Sequence, residues 1–287
     1  MSAAYPFPER KENGAGQVPQ PSPCCWRVIG ASVTGASHLK HDLPCQDYQA
    51  SRLLPCGDGQ ALLIALADGA GSAENADLGA QLAVEAALHS LENSLMTSEP
   101  SSVDFEVSMH LAFESAQQVL FDQAGGDEIP VRSLATTLTC VAAVDGFITV
   151  GQLGDGSVIA RTDEDELVAV TSPQRGEYAN ETFFLVQEDA LENLQVQVLH
   201  YPVQGLAVLS DGLMRLALQM PANLPHRPFF KPLFAFAASV EDMDAATLQL
   251  ASFLSSERVS ERTDDDKSLV LAICSAVPSG ERERPAG

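Results

Sequence analysis

No stretch of this chain approaches the roughly 18 consecutive apolar residues that a bilayer-spanning helix needs, so no membrane span is expected. Basic residues are scarce: 16 Lys and Arg stand against 39 Asp and Glu, for a formal net charge of −23. A chain so acidic is repelled by phosphate backbones and anionic lipid, which argues against nucleic-acid and membrane-surface binding. The first 25 residues lack the basic-then-apolar pattern of an export signal, and the expected location is cytoplasmic. No C-x-x-C pair occurs. The six cysteines, Cys24, Cys25, Cys45, Cys56, Cys140 and Cys274, include several with apolar neighbours, as in LTCVAAV and LAICSAV. They are expected as reduced buried thiols, not as disulfides or zinc ligands. Other signatures are missing too. GAGSAEN lacks the lysine of a P-loop, DEDEL and GDGQ do not complete an EF-hand, and glycine directly follows Asp68, Asp155 and Asp211 where an aspartic protease needs Thr-Gly or Ser-Gly.

What is present is enough apolar content, 45% of 287 residues, to bury a sizeable core. Residues 1–25 are rich in proline and read as a loosely attached arm, residues 26–276 as a single domain, and residues 277–287 as a flexible tail. WRVIGASVTG reads as a first strand and ALLIALA as a buried one. From Asp77 to Leu95 the spacing of Leu78, Leu82, Leu88, Leu91 and Leu95 predicts a helix. A second helix carries Phe105, Met109, Ala112, Phe113, Ala116 and Leu120 on one stripe, with Gly125 and Gly126 as the expected C-cap. TLTCVAAV and FITVGQL flank Asp145-Gly146, the dipeptide of a tight hairpin, so an antiparallel sheet is expected. A third helical region, broken near MPANLPHRPFFKP, precedes a last strand, SLVLAIC. This order, without regular strand–helix alternation, is α+β.

Four aspartates end or begin buried strands: Asp68 in LADGAG, Asp155 in QLGDGS, Asp211 in VLSDGL and Asp265 in TDDDKSLV. Each by itself is a common turn or a solvated charge. Together they need a cause, because two carboxylates about 4 Å apart repel by roughly 4 kcal/mol at an effective dielectric of 20. Protons or a hard divalent cation would relieve that repulsion, and a glycine after the Asp lets backbone approach an ion closely. Convergence of the four on a metal centre is therefore the expectation.

The ordered motifs LADGAGS, ATTLTCVAAVDGFITVGQLGDG, VLSDGL and DDKSLVLAI, with GASHLKHDLPCQD upstream, resemble the metal-dependent protein phosphatases of the protein phosphatase 2C type. GEYANET, Gly176 to Thr182, resembles a signature of a bacterial branch. The likeness covers roughly residues 26 to 275. It implies a central sandwich of two antiparallel sheets flanked by helix pairs, with a site for two Mn²⁺ or Mg²⁺ ions at one end. By that resemblance Asp68 bridges both ions, the Gly69 carbonyl holds one, Asp211 and Asp265 hold the other, and Asp47 holds metal-bound water. Asp155 falls where bacterial members complete a third, weaker site. Asp68 and Asp211 would be the residues that carry catalysis, an attack of metal-bridging hydroxide on a phosphoserine or phosphothreonine phosphorus. The implied partners are a phosphorylated protein and a cognate Ser/Thr kinase.

The sequence departs from the family pattern in several places. Gln46 stands for a usual Glu, Asp42 for the phosphate-binding Arg, Ala70 for the histidine of eukaryotic members, Asp266 for Asn and Ser268 for Thr. His38 and Lys40 are the nearest cations for a substrate phosphate, with plain surface or hydrogen-bonding roles as the alternative. GEYANET is either a flap beside the site or an ordinary turn. A non-catalytic module of the same fold, binding a phosphoprotein or kinase, is the rival to an enzyme. It leaves the retained carboxylates without a cause.

Overall fold

The structure, a computed structural model, describes residues 24–57, 59–97, 103–144, 146–174, 182–201 and 203–276. In chain order come β1 (Cys24–Val33), α1 (Ala36–Lys40), β2 (Asp47–Cys56), β3 (Gly59–Asp68), α2 (Ala76–Thr97) and α3 (Phe105–Gly126). Then follow β4 (Leu138–Val144), β5 (Phe147–Leu153), β6 (Ser157–Thr162), β7 (Leu167–Ala169), β8 (Gln195–Leu199) and β9 (Val203–Leu209). The chain continues through α4 (Met214–Ala217), the small pair β10 (Leu218–Gln219) and β11 (Leu224–Pro225), α5 (Arg227–Ser239), α6 (Met243–Leu254), α7 (Glu257–Ser260) and β12 (Lys267–Ala276).

Two five-stranded antiparallel sheets result, ordered β1-β12-β9-β6-β7 and β2-β3-β4-β5-β8. The apolar runs of central strands such as β3, β4 and β9 are continuous because both faces are covered there. Along β3, Leu63, Ala65 and Ala67 pack under α2 and α3, while Leu62, Ile64 and Leu66 face the other sheet. Along β12, Leu269, Leu271 and Ile273 pack under α5 and α6, while Val270 and Ala272 face inward. Four layers, helices, sheet, sheet, helices, follow from this alternation, as the resemblance implied. Small residues on α2, among them Ala76, Gly79, Ala80, Ala83 and Ala87, make its buried face. The predicted stripe residues Leu78 and Leu82 lie at its partly buried flank.

Several expectations are corrected. Gly125 and Gly126 lie inside α3; its C-cap is Asp127, and the positive φ of 56° falls on Glu128. The start of α3 is capped by Asp104, which accepts from the backbone N–H groups of Glu106 and Val107. β1 begins at Cys24, so Cys24 and Cys25 belong to the sheet and not to the arm. The six thiols are not all reduced: Cys24 and Cys274 are joined as a disulfide with Cα atoms 5.8 Å apart. The cause is the antiparallel pairing of the first and last strands, which sets Trp26 opposite Cys274 and brings together residues 250 apart in sequence. Cys25, Cys45 and Cys140 are free, and Cys56 and Cys140 are buried as expected. The β4–β5 hairpin forms, with Gly146 at φ 84°; Asp145 lies outside the described residues.

Candidate metal centre

The antiparallel registers bring the acidic strand ends to one edge of the sandwich. β2 starts and β3 ends in the pair Asp47–Asp68. β9 ends at Leu209, opposite both Ser157, which starts β6, and Leu269, near the start of β12. Asp155, Asp211 and Asp265 follow or precede those ends, so all five aspartates sit on the same side of the molecule.

The carboxyl groups meet in a chain. Asp68 lies within hydrogen-bonding reach of Asp211 and of Asp47, Asp155 acts electrostatically on Asp68 and Asp211, and Asp265 acts on Asp211. Burial is the main reason that all four shifted groups protonate more readily than a free carboxyl; neighbouring carboxylates add to it. Asp47 is pushed up to about 7 and Asp211 to about 6, while Asp68 is raised well above the usual range and Asp265 is raised.

Backbone anchors hold the turns. The Thr137 hydroxyl accepts the Asp68 N–H at 3.0 Å, and the Thr136 hydroxyl donates to the Asp68 carbonyl at 3.0 Å, which gives the Thr-Thr pair its role. Gly69 bridges to Thr136 and donates its N–H to the Gln46 carbonyl at 3.1 Å. A Cβ at Gly69 would come within 2.8 Å of that carbonyl, so the approach needs glycine. The Asp155 turn rests on Gly154, at φ 113°, whose N–H donates to the Gln174 side chain at 2.6 Å.

Residues that sequence reasoning missed fix the remaining side chains. Ser210 donates to Asp47 Oδ2 at 2.7 Å and accepts the Ser268 N–H at 3.0 Å. Asp266, only 2% exposed, accepts from the Gly35 and Gln46 N–H groups at 2.6 Å each and from His38 Nδ1 at 2.9 Å. His38 is thus buried at 8% exposure, with Nδ1 committed to Asp266. Lys40 is exposed at the end of α1, and Asp42 is exposed with φ 54°. Six of the seven residues of GEYANET, Gly176–Glu181, lie outside the described residues.

The family model for protein phosphatase 2C matches residues 34–255. The chain belongs to the protein phosphatase 2C family. It is 39% identical over 253 residues to Serine/threonine-protein phosphatase 3 of Escherichia coli (strain K12), covering 86% of this chain and 98% of that protein. Among solved structures it is similar to the S. agalactiae serine/threonine phosphatase, with a TM-score of 0.58 at 17% identity, over 86% of this chain and 99% of that one. The catalytic domain of the serine threonine protein phosphatase PstP, in complex with two manganese ions, gives a TM-score of 0.57 at 17% identity, over 87% and 98%. These two likenesses carry the protein phosphatase 2C fold.

The residues fit the divalent ions that the protein phosphatase 2C family implies. Asp47 Oδ1 and Asp211 Oδ1 are buried and have no hydrogen-bond partner, an orphaned pair of acceptors in an acidic pocket. Among the described residues no three His, Cys, Asp or Glu side chains close on one point as a finished ligand set. Mg²⁺-like ions do not ask for one: they keep several waters and take one or two carboxylates, which pairs such as Asp68 and Asp211 provide.

Proposed function

We propose that this chain is a metal-dependent serine/threonine protein phosphatase. The observation that carries the reading is a line of crowded, mutually repelling aspartates, two of them, Asp47 and Asp211, with a buried unpartnered oxygen, in a chain of the protein phosphatase 2C family. A non-catalytic module would gain nothing from keeping them.

Asp68, the Gly69 carbonyl, Asp211 and Asp265 would hold two Mn²⁺ or Mg²⁺ ions, and Asp155 a third. The ions, when bound, supply a water of lowered pKa and neutralise the phosphoryl oxygens. Asp47 has one oxygen engaged by Ser210 and the other free to accept from water, so it orients solvent at the site. Thr136 and Thr137 hold the Asp68 backbone, and Asp266 ties the loop before β2 to the loop before β12. His38 Nε2 lies on the Gly71 side, 3.9 Å from where a Cβ on Gly71 would stand; with Lys40 it is our candidate to meet the substrate phosphate that the family arginine would otherwise hold. No helix among the described residues is long and apolar enough to cross a membrane. Phosphoserine and phosphothreonine are made by ATP-dependent kinases, so we place the protein in the cytoplasm, opposing such a kinase in signalling.

The test uses the full-length protein with p-nitrophenyl phosphate and a phosphothreonine peptide. Turnover is expected to require Mn²⁺ or Mg²⁺ and to vanish with chelator. Asp211→Asn keeps the side-chain volume but loses a charge that holds the ion. It should lower turnover at least a hundredfold, about 3 kcal/mol of transition-state stabilisation. Asp155→Asn should lose less and recover partly at high Mn²⁺. A folded Asp211→Asn protein with wild-type, metal-dependent activity refutes the assignment.

A further inference from the structure

On the outer side of the β1-β12-β9 sheet, α5, α6 and α7 enclose a cavity of about 430 Å³ against α4. That volume falls in the roughly 300–1,000 Å³ range of small-molecule sites. Its walls are mostly apolar, with Leu216, Phe229, Leu233, Phe236 and Phe253 contributing. Three polar side chains join them: His226, Gln249 and Arg258. His226 is a fixed part of the wall, since its Nδ1–H donates to the Leu216 carbonyl at 3.1 Å.

Arg258 differs. It is exposed on α7, and among the described residues no ion pair or hydrogen bond engages it. Its guanidinium borders the apolar hollow and is open to solvent there. A guanidinium presents a planar fork of N–H donors that matches a carboxylate, and aromatic walls suit a hydrocarbon body. Walls drawn from four helices suit a compact ligand more than an extended peptide.

We propose that this cavity binds a small amphipathic anion, a carboxylate on an apolar chain or ring, with Arg258 holding the head group and the phenylalanines the body. The cavity adjoins the candidate metal centre through the chain: α4 follows Asp211–Leu213 directly, and α7 precedes the turn that carries Asp265. Binding itself does not depend on the phosphatase reading and is measured without any substrate.

Decanoate titrated into the full-length protein by calorimetry should show saturable one-to-one binding. Arg258→Gln should weaken decanoate at least tenfold, while decanol, the same chain without the charge, binds wild type and variant alike. Gln249→Trp adds bulk at an exposed lining position of α6 and should weaken both probes at least tenfold. Both positions are exposed, so the variants should keep the wild-type circular dichroism spectrum. Absence of saturable decanoate binding to the wild type overturns the proposal. So does an Arg258→Gln variant that binds decanoate as well as wild type, and so does a Gln249→Trp variant that binds both probes unchanged.

Discussion

At Asp266 one carboxylate oxygen, Oδ2, takes two donors, the Gln46 N–H and His38 Nδ1, while Oδ1 takes the Gly35 N–H. An asparagine has one acceptor oxygen and one NH₂, so wherever the amide turned it would set a donor against a donor. The departure from the family's usual Asn is therefore matched to the Gly35 and Gln46 N–H groups, one on each carboxylate oxygen. Asp266→Asn should cost about 1–3 kcal/mol, the penalty of a buried polar group left unsatisfied, read as a lower urea midpoint at unchanged slope. His38→Ala removes one of the three donors and should cost a similar amount; a variant as stable as wild type in either case would show that the pairing does not hold the loops. Nothing in the letters TDDDK separates these neighbours. Asp264 and Asp265 are both exposed, Asp265 acting on Asp211 of the acidic cluster, while Asp266 is sealed inside by the Gly35 and Gln46 backbone arriving from more than 200 residues away.

Two glycines show opposite demands on their elements. A Cβ on Gly212, just after Asp211, would overlap the Asp266 carbonyl, so Gly212→Ala must push apart the two turns that carry Asp211 and Asp265. It should cost about 1–3 kcal/mol as an overpacked contact and lower metal-dependent activity with it. Gly125, near the end of α3, has nothing within 4 Å of a new Cβ, so Gly125→Ala should stabilise by about 0.5 kcal/mol, seen as a small rise in melting temperature with activity unchanged. The reversed order of the two variants in thermal melts would contradict this account. Legibility in the sequence follows the same physics. β3, β4, β5 and β12 are buried on both faces, so their apolar runs announce them and the aspartates at their ends stand out. β2 is different. It is the edge strand of its sheet, its burial alternates, and Pro55 interrupts its pattern, so its sequence does not read as a strand although it presents Asp47. The hydroxyl supports Ser210, Thr136 and Thr137 act through contacts between distant segments, and only the family pattern drew attention to any of them.

For the molecule as a whole, the crowded aspartates make stability depend on pH when no metal is present. Each shifted carboxyl holds its proton in the folded state to a higher pH than in the unfolded chain, where it ionises near 3.8. Between about pH 4 and pH 7 the folded state therefore binds more protons than the unfolded one. Stability falls as pH rises, by about 1.4 kcal/mol per pH unit for each extra proton held. The sign is opposite to that of salt-bridged carboxylates, which stabilise a protein as pH rises. General repulsion in a chain of net charge −23 acts in the same direction, but it belongs to exposed groups and is screened by salt. The measurement is a melting series at pH 5, 6, 7 and 8 in chelator, at low salt and at about 1 M salt, where the Debye length is about 3 Å. The expected result is a melting temperature that falls with pH and keeps most of that slope in high salt. Excess Mn²⁺ should raise the melting temperature far more at pH 8 than at pH 5, because protons compete with the ion for the same oxygens. A metal-free melting temperature that is flat across the series, or that rises with pH, would mean that the aspartates are not crowded as the structure places them.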